Sequence, residues 1–250
     1  MQRVFPKKLK KEPLFDAVFE LRFNSRSAAS SILPGFLFSK LSGSDNIEKM
    51  PAAQLPEQVR ETDPNLQFAP LIRFHWGSFL ILIGDRSILI ACKMPYPGWI
   101  KFKAGILEVL QLLDEINIIE STQRFSLKYV DLIPAREIME QVSLVNINLN
   151  IADHTLVKEV FQIRVEIPKG DINNVVQILS SAEITSVENG LKTYGIVIDI
   201  DTMKTVMNVK LKNLLLNLST DLEELHDSNK EIFFRCLKQE TIDALEPIYE

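Results

Sequence analysis

Residues 87–116 decide how the chain is read. Ser87-Ile88-Leu89-Ile90-Ala91-Cys92 is an apolar, strand-like run. Met94-Pro95-Tyr96-Pro97-Gly98-Trp99 follows, and two prolines and a glycine stop a sheet there. From Trp99 onward Phe102, Ile106, Val109, Leu110, Leu113 and Ile116 recur at three- and four-residue steps, one face of an amphipathic helix. A sheet therefore gives way to a long helix, which is the mark of an α+β chain.

The stretches on either side extend this pattern. Upstream, Leu71-Ile72-Arg73-Phe74 and Ser78 to Ile83 are strand-like, with Gly84-Asp85-Arg86 as a hairpin turn before Ser87. Further upstream Ala17, Phe19, Leu21 and Phe23 fall on one face and Glu20 and Arg22 on the other, a half-buried strand. Residues 24–66 are irregular, with apolar islands at Ile32-Leu33 and Phe36-Leu37-Phe38 before Pro51, Pro56 and Pro64. They predict a short helix or turn and then a long surface connection. Downstream of the helix Phe125, Leu127 and Tyr129 alternate with polar residues up to Pro134.

The second half repeats the plan. Lys158 to Ile167 predicts a strand with Phe161, Ile163, Val165 and Ile167 facing one way and Gln162, Arg164 and Glu166 the other. Residues 171–181 predict a short helix capped by Asp171, and Leu191 to Asp201 a strand with Ile196, Ile198 and Ile200 inside. Met207, Leu211, Leu214, Leu218, Leu222 and Leu225 predict a long helix from Met203. Ser228-Asn229-Lys230-Glu231 reads as the capping box of one more helix. The expected fold is α+β with two similar halves, each of antiparallel strands or a hairpin followed by a long amphipathic helix packed on the sheet. The halves are 1–140, with a basic arm and the irregular 24–66 segment, and 141–250, with the C-terminal helices.

Composition narrows the function. The chain has 250 residues, 46% hydrophobic and 24% charged, with a net charge of −5, as an ordinary globular protein would. Glycine occurs 9 times. The near pairs Gly35 with Gly43 and Gly98 with Gly105 fit no phosphate-cradling spacing, which argues against Rossmann and P-loop sites. Cys92 and Cys236 lie in apolar surroundings and read as buried free thiols of a reducing compartment. No apolar segment follows the charges of the N-terminus, and the longest apolar runs fall far short of a membrane span. A cytoplasmic protein without membrane contact is expected.

Three stretches resemble a sporadically distributed family of prokaryotic proteins of about this length with no established activity. The first is Glu12-Pro13-Leu14-Phe15-Asp16-Ala17-Val18-Phe19-Glu20-Leu21-Arg22-Phe23. The second pairs Trp99-Ile100-Lys101-Phe102 with Arg124-Phe125-Ser126-Leu127-Lys128-Tyr129-Val130-Asp131. The third is Leu225-His226 with Phe233-Phe234. Asp16, Ser126, Lys128 and Asp131 stand where that family prefers Glu, Gly, Arg and Asn. The resemblance implies no catalytic residues. Its patchy distribution implies a protein accessory to a mobile-element or defence locus.

Candidate chemistry is sparse. His75, His154 and His226 are far apart and show no zinc-ligand spacing. Asp199 and Asp201 would share one side of a strand, where a solvated face and a helix cap account for them better than a cation. Tyr96 to Trp99 could form an aromatic ledge, yet Trp99 is in phase with Phe102 and Ile106 and reads as a core anchor. The basic arm (Arg3, Lys7, Lys8, Lys10, Lys11) and the acidic residues 217–250 can dock on each other within one chain or between two, which explains the arm without nucleic acid. The sequence thus favours a non-enzymatic binding protein with a protein partner, forming a homodimer, with no catalytic residue, metal or cofactor. Phe36, Leu37, Phe38, Tyr96, Leu215 and Leu216 are the expected partner-binding residues. The alternative is an enzyme, or a small-molecule or nucleotide-sensing domain, with a site between the two halves.

Overall fold

The alternating stretch at the start of the chain is a strand, Leu14–Ser25, in which Ala17, Phe19, Leu21 and Phe23 are fully buried. The computed structural model describes residues 5–185, 190 and 192–249, so Arg3 of the arm and Leu191 lie outside the described residues. In chain order the elements are β1 (Lys8–Leu9), β2 (Leu14–Ser25), α1 (Ala29–Lys40), β3 (Ser44–Lys49), α2 (Glu57–Thr62), β4 (Ile72–Trp76), β5 (Phe79–Ile83), β6 (Ser87–Cys92) and α3 (Trp99–Ile116). They continue with β7 (Ile119–Pro134), α4 (Ile138–Leu144), β8 (Asn150–Ile151), β9 (His154–Thr155), β10 (Gln162–Lys169), β11 (Ile172–Thr185) and β12 (Lys192–Val209). The last are α5 (Leu211–Leu215), α6 (Leu218–Cys236), α7 (Gln239–Ala244) and β13 (Pro247–Ile248). The class is α+β, built on a large and mostly antiparallel sheet.

Two compact units are interleaved in sequence. One comprises the residues up to Phe15, 128–202 and from Asp227 onward; the other comprises 16–127 and 203–226. A cut between 140 and 141 does not separate them, because β7 and β12 each contribute to both.

In the unit of 16–127 and 203–226 the strand order is β12-β7-β2-β6-β5-β4-β3. β6 pairs antiparallel with β2, Val18 opposite Ala91 through Arg22 opposite Ser87. α3 buries Phe102, Ile106, Val109, Leu110 and Leu113, the face its spacing predicts. Gly105 lets α3 approach closely, since a Cβ there would stand 2.8 Å from the Phe79 ring. The short helix expected within 24–66 is α1, which buries Ala29, Leu33 and Leu37 at four-residue steps, while β3 and α2 occupy part of the stretch expected to be a long connection.

In the other unit the order is β10-β11-β12-β7. Its core joins Ile133, Val176, Ile178, Ile196, Ile198, Ile200, Phe233 and Phe234. β1 pairs with β13, and Lys11 Nζ reaches Glu246 at 2.9 Å, so the basic arm docks on the acidic end of its own chain. A buried polar network lies beside the core. Asn174 Oδ1 accepts from Thr202 Oγ1 at 2.9 Å and Ser228 Oγ at 3.1 Å, while Asn229 Nδ2 donates to the Ile200 carbonyl at 2.9 Å and to Thr202 Oγ1 at 3.0 Å. Buried polar groups need such partners, because an unmade bond there costs the full desolvation of the group.

Four expectations are corrected. Residues 172–185 form β11 and not a helix: Gly170, at φ 64°, and Asp171 make a two-residue hairpin turn, and Val175, Val176 and Ile178 are good strand residues. The helix expected from Met203 begins at Leu211, because β12 runs on to Val209 through Thr205 and Val206. Met207, 63% exposed, is on that strand and not in the leucine stripe. Asp201 therefore sits inside β12 and caps no helix. Ser228 to Glu231 does not start a helix either; it lies inside α6, with Ser228 and Asn229 turned into the polar network.

Gly195 tests the packing of β12 on β7. A Cβ at this position would stand 2.9 Å from the Ile133 carbonyl carbon, and the backbone cannot step aside as a side chain would. Gly195→Ala is expected to lower stability by about 2 kcal/mol, read as a lower urea midpoint with an unchanged slope. An unchanged midpoint would contradict the packing.

Candidate functional site

The edge of the sheet at β10 has the geometry of a binding site. Ser180 N donates to the Phe161 carbonyl at 3.0 Å, so the backbone groups of Phe161 point at β11. Polarity alternates along a strand, so Ile163, Val165 and Ile167 also point their amides and carbonyls at β11, while those of Gln162, Arg164 and Glu166 point to the open edge. The turn agrees: a two-residue loop makes its flanking pair, Lys169 and Ile172, a hydrogen-bonded one.

The side chains of this edge divide by face. Ile163, Val165 and Ile167 stand opposite Ile178, Val176 and Asn174. Ile163 packs against the core, whereas Val165 is 46% and Ile167 40% exposed. Phe161 is buried, and the row runs out into solvent beyond Ile163 because β10 is the last strand of the order. On the other face Arg164 Nη1 meets Glu166 Oε1 at 2.8 Å, and Asn173 Nδ2 donates to Glu166 Oε2 at 2.9 Å. The Asn173 amide first, and Arg164 after it, hold the Glu166 carboxyl below its ordinary pKa, so it is charged at neutral pH.

A second cluster lies on β2, β7 and β12 in the other unit. Glu20 Oε2 accepts from Arg22 Nε and from Arg124 Nη2, each at 2.8 Å. Arg124 Nη1 reaches Met203 Sδ at 3.2 Å, and the Arg22 guanidinium lies 4.3 Å from the centre of the Phe68 ring. One carboxylate is shared by two guanidiniums, each of which makes a further contact.

The three histidines are engaged separately. His75 Nδ1 lies 3.5 Å from Asp45 and His154 Nε2 3.1 Å from Glu159. His226 sits within α6 and stacks on Trp99 at 4.2 Å. Trp99 Nε1 and Lys103 Nζ donate to the two oxygens of Glu223, each at 2.7 Å, which ties α3 to the leucine-striped helix. Asp199 pairs with Lys128 at 2.8 Å. Cys92 and Cys236 are free thiols; burial raises both, Cys236 to about 11, which makes them poor nucleophiles.

The residues expected to bind a partner are scattered through the larger unit. Leu37 is fully buried in α1 and is corrected from a surface to a core residue, because helix formation turns it inward with Leu33. Phe38 is half-buried, edge-on to Phe74 at 5.6 Å, and Tyr96 edge-on to Phe102 at 6.3 Å. Phe36 and Leu215 are half-buried, and Leu216 is 78% exposed. The edge position of β10 is not legible in the sequence pattern, because alternation looks the same in an edge strand and a half-buried one. Its signal was Pro168, which strands tolerate at edges and ends. Among the described residues no helix is long and apolar enough to cross a membrane. The chain matches no protein-family model and no curated protein.

Asp131 generates a test of the site-bearing unit. Burial first, and the Glu12 charge second, push its carboxyl up to about 8. Its folded pKa lies above the ordinary value near 3.9, so the folded state binds the extra proton. The stability contributed by this group is fully present below about pH 4, falls as pH rises, and is lost above about 8. Asp131→Asn should flatten that fall: the variant gains on the parent between pH 5 and pH 9 in urea midpoint. Parallel pH profiles would contradict it.

Proposed function

We propose that this chain is a non-enzymatic interaction protein that binds protein through the β10 edge. The observation that carries the reading is the pairing of two features on one strand: backbone groups of Gln162, Arg164 and Glu166 directed outward, and an apolar row, Val165 and Ile167, left in solvent beside the core. An edge of this kind takes a further strand. Main-chain hydrogen bonds supply affinity, and alternate side chains supply selectivity. Arg164, Glu166 and Pro168 restrict which strand can pair with this edge, while Val165 and Ile167 leave apolar area for one that fits.

The pairing of the charged groups elsewhere supports the same reading. Glu20 is held by both Arg22 and Arg124, and burial suppresses both thiols. Adjacent strands followed by a long helix occur twice in chain order, β4–β6 before α3 and β10–β12 before α5 and α6, which supports a duplicated plan.

The test is photo-crosslinking in the native host. A chain carrying Val165→p-benzoylphenylalanine should give a discrete protein adduct, and the same probe at the exposed Met139 should not. No adduct from residue 165 or residue 167 would overturn the reading.

A further inference from the structure

β10 is its own complement. Arg164 and Glu166 flank Val165, and Ile163 and Ile167 stand beyond them. We infer that the occupant of the β10 edge is a second copy of this chain, joined antiparallel with Val165 opposite the partner's Val165, giving a two-fold dimer. The inference rests on the reading of β10 as the interaction edge.

Three properties select this register. The first is the backbone. Arg164 and Glu166 direct their amides and carbonyls outward, and in this register Arg164 faces the partner's Glu166, so each such pair exchanges two hydrogen bonds. Gln162 N–H meets the carbonyl of the partner's Pro168, and proline's missing donor falls at the end of the ladder. The second is charge. Arg164 and Glu166 already touch within one chain at 2.8 Å, and the dimer closes them into a ring of alternating sign. Sliding by one step of the ladder either way places Arg164 against the partner's Arg164, or Glu166 against the partner's Glu166. Like charges directly opposite are destabilising. Sliding by a single residue would turn the outward backbone groups against inward ones. The third is the apolar face. Val165 meets the partner's Val165 and Ile163 the partner's Ile167, all at the close non-hydrogen-bonded positions. The contact is isologous, as a two-fold axis requires.

The test is sedimentation of the full chain and charge-swapped variants, with circular dichroism to confirm folding. Both side chains are about half exposed, so the swaps leave the fold intact. The natural chain should associate beyond 28.5 kDa as concentration rises to roughly 100 μM. Arg164→Glu alone and Glu166→Arg alone should each weaken association about tenfold. Mixing the two variants should restore it as a heterodimer, one strand carrying two acids and the other two bases. The double variant should also recover. A natural chain that stays at 28.5 kDa, or a mixture that associates no better than its components, overturns the inference. The crosslink at residue 165 separates the two readings: an adduct of twice the chain mass supports the second copy. An adduct to another protein overturns the second copy and keeps the interaction edge, and no adduct overturns both.

Discussion

The two-residue turn at Gly170 and Asp171 fixes the polarity of β10. Once Lys169 and Ile172 are a hydrogen-bonded pair, every odd-numbered residue of β10 is committed to β11 and every even-numbered one to the edge. The side-chain pattern follows from the same constraint. Odd residues carry the apolar row and even residues carry Gln162, Arg164 and Glu166, so charges sit where the outward hydrogen bonds are. An edge built this way does not pair indiscriminately. A foreign strand must offer opposite charges in alternation, and the wrong register brings like charges together.

The row is exposed because the core stops short of it. The cluster of Val176, Ile178, Ile198, Phe233 and Phe234 reaches Ile163 and no further. Next to Ile167 stands Asn174, which is turned to Thr202 and Ser228 and which also donates to the Ile167 carbonyl at 3.2 Å. That network replaces apolar packing at this end of the sheet. It holds β11 and β12 to α6 by directional bonds, which specify one arrangement and leave the neighbouring apolar side chains without cover.

Much of this was legible in the sequence. Strict alternation in Ala17 to Phe23 and three- and four-residue spacing in Trp99 to Ile116 are unambiguous, and both elements form as read. The misreadings have local causes. Residues 171–181 lack a Pro or Gly to mark a strand, and Asp171 suits a helix cap as well as a turn. Met207 is in phase with the leucines after it, yet Thr205, Val206 and Val209 carry the strand through it. Leu37 stands between two phenylalanines in an apolar run, so spacing alone does not say which of the three the short helix turns inward. The edge role of β10 depends on which strands stand beside it, and that order is a property of the whole sheet.

The most direct measurement is amide hydrogen exchange along β10 at two concentrations of the natural chain. In dilute solution the amides of Ile163, Val165 and Ile167, bonded to β11, should be protected, and those of Arg164 and Glu166 should exchange rapidly. At high concentration Arg164 and Glu166 should become protected while the odd-numbered amides change little. Rapid exchange at Arg164 and Glu166 whatever the concentration would contradict the account.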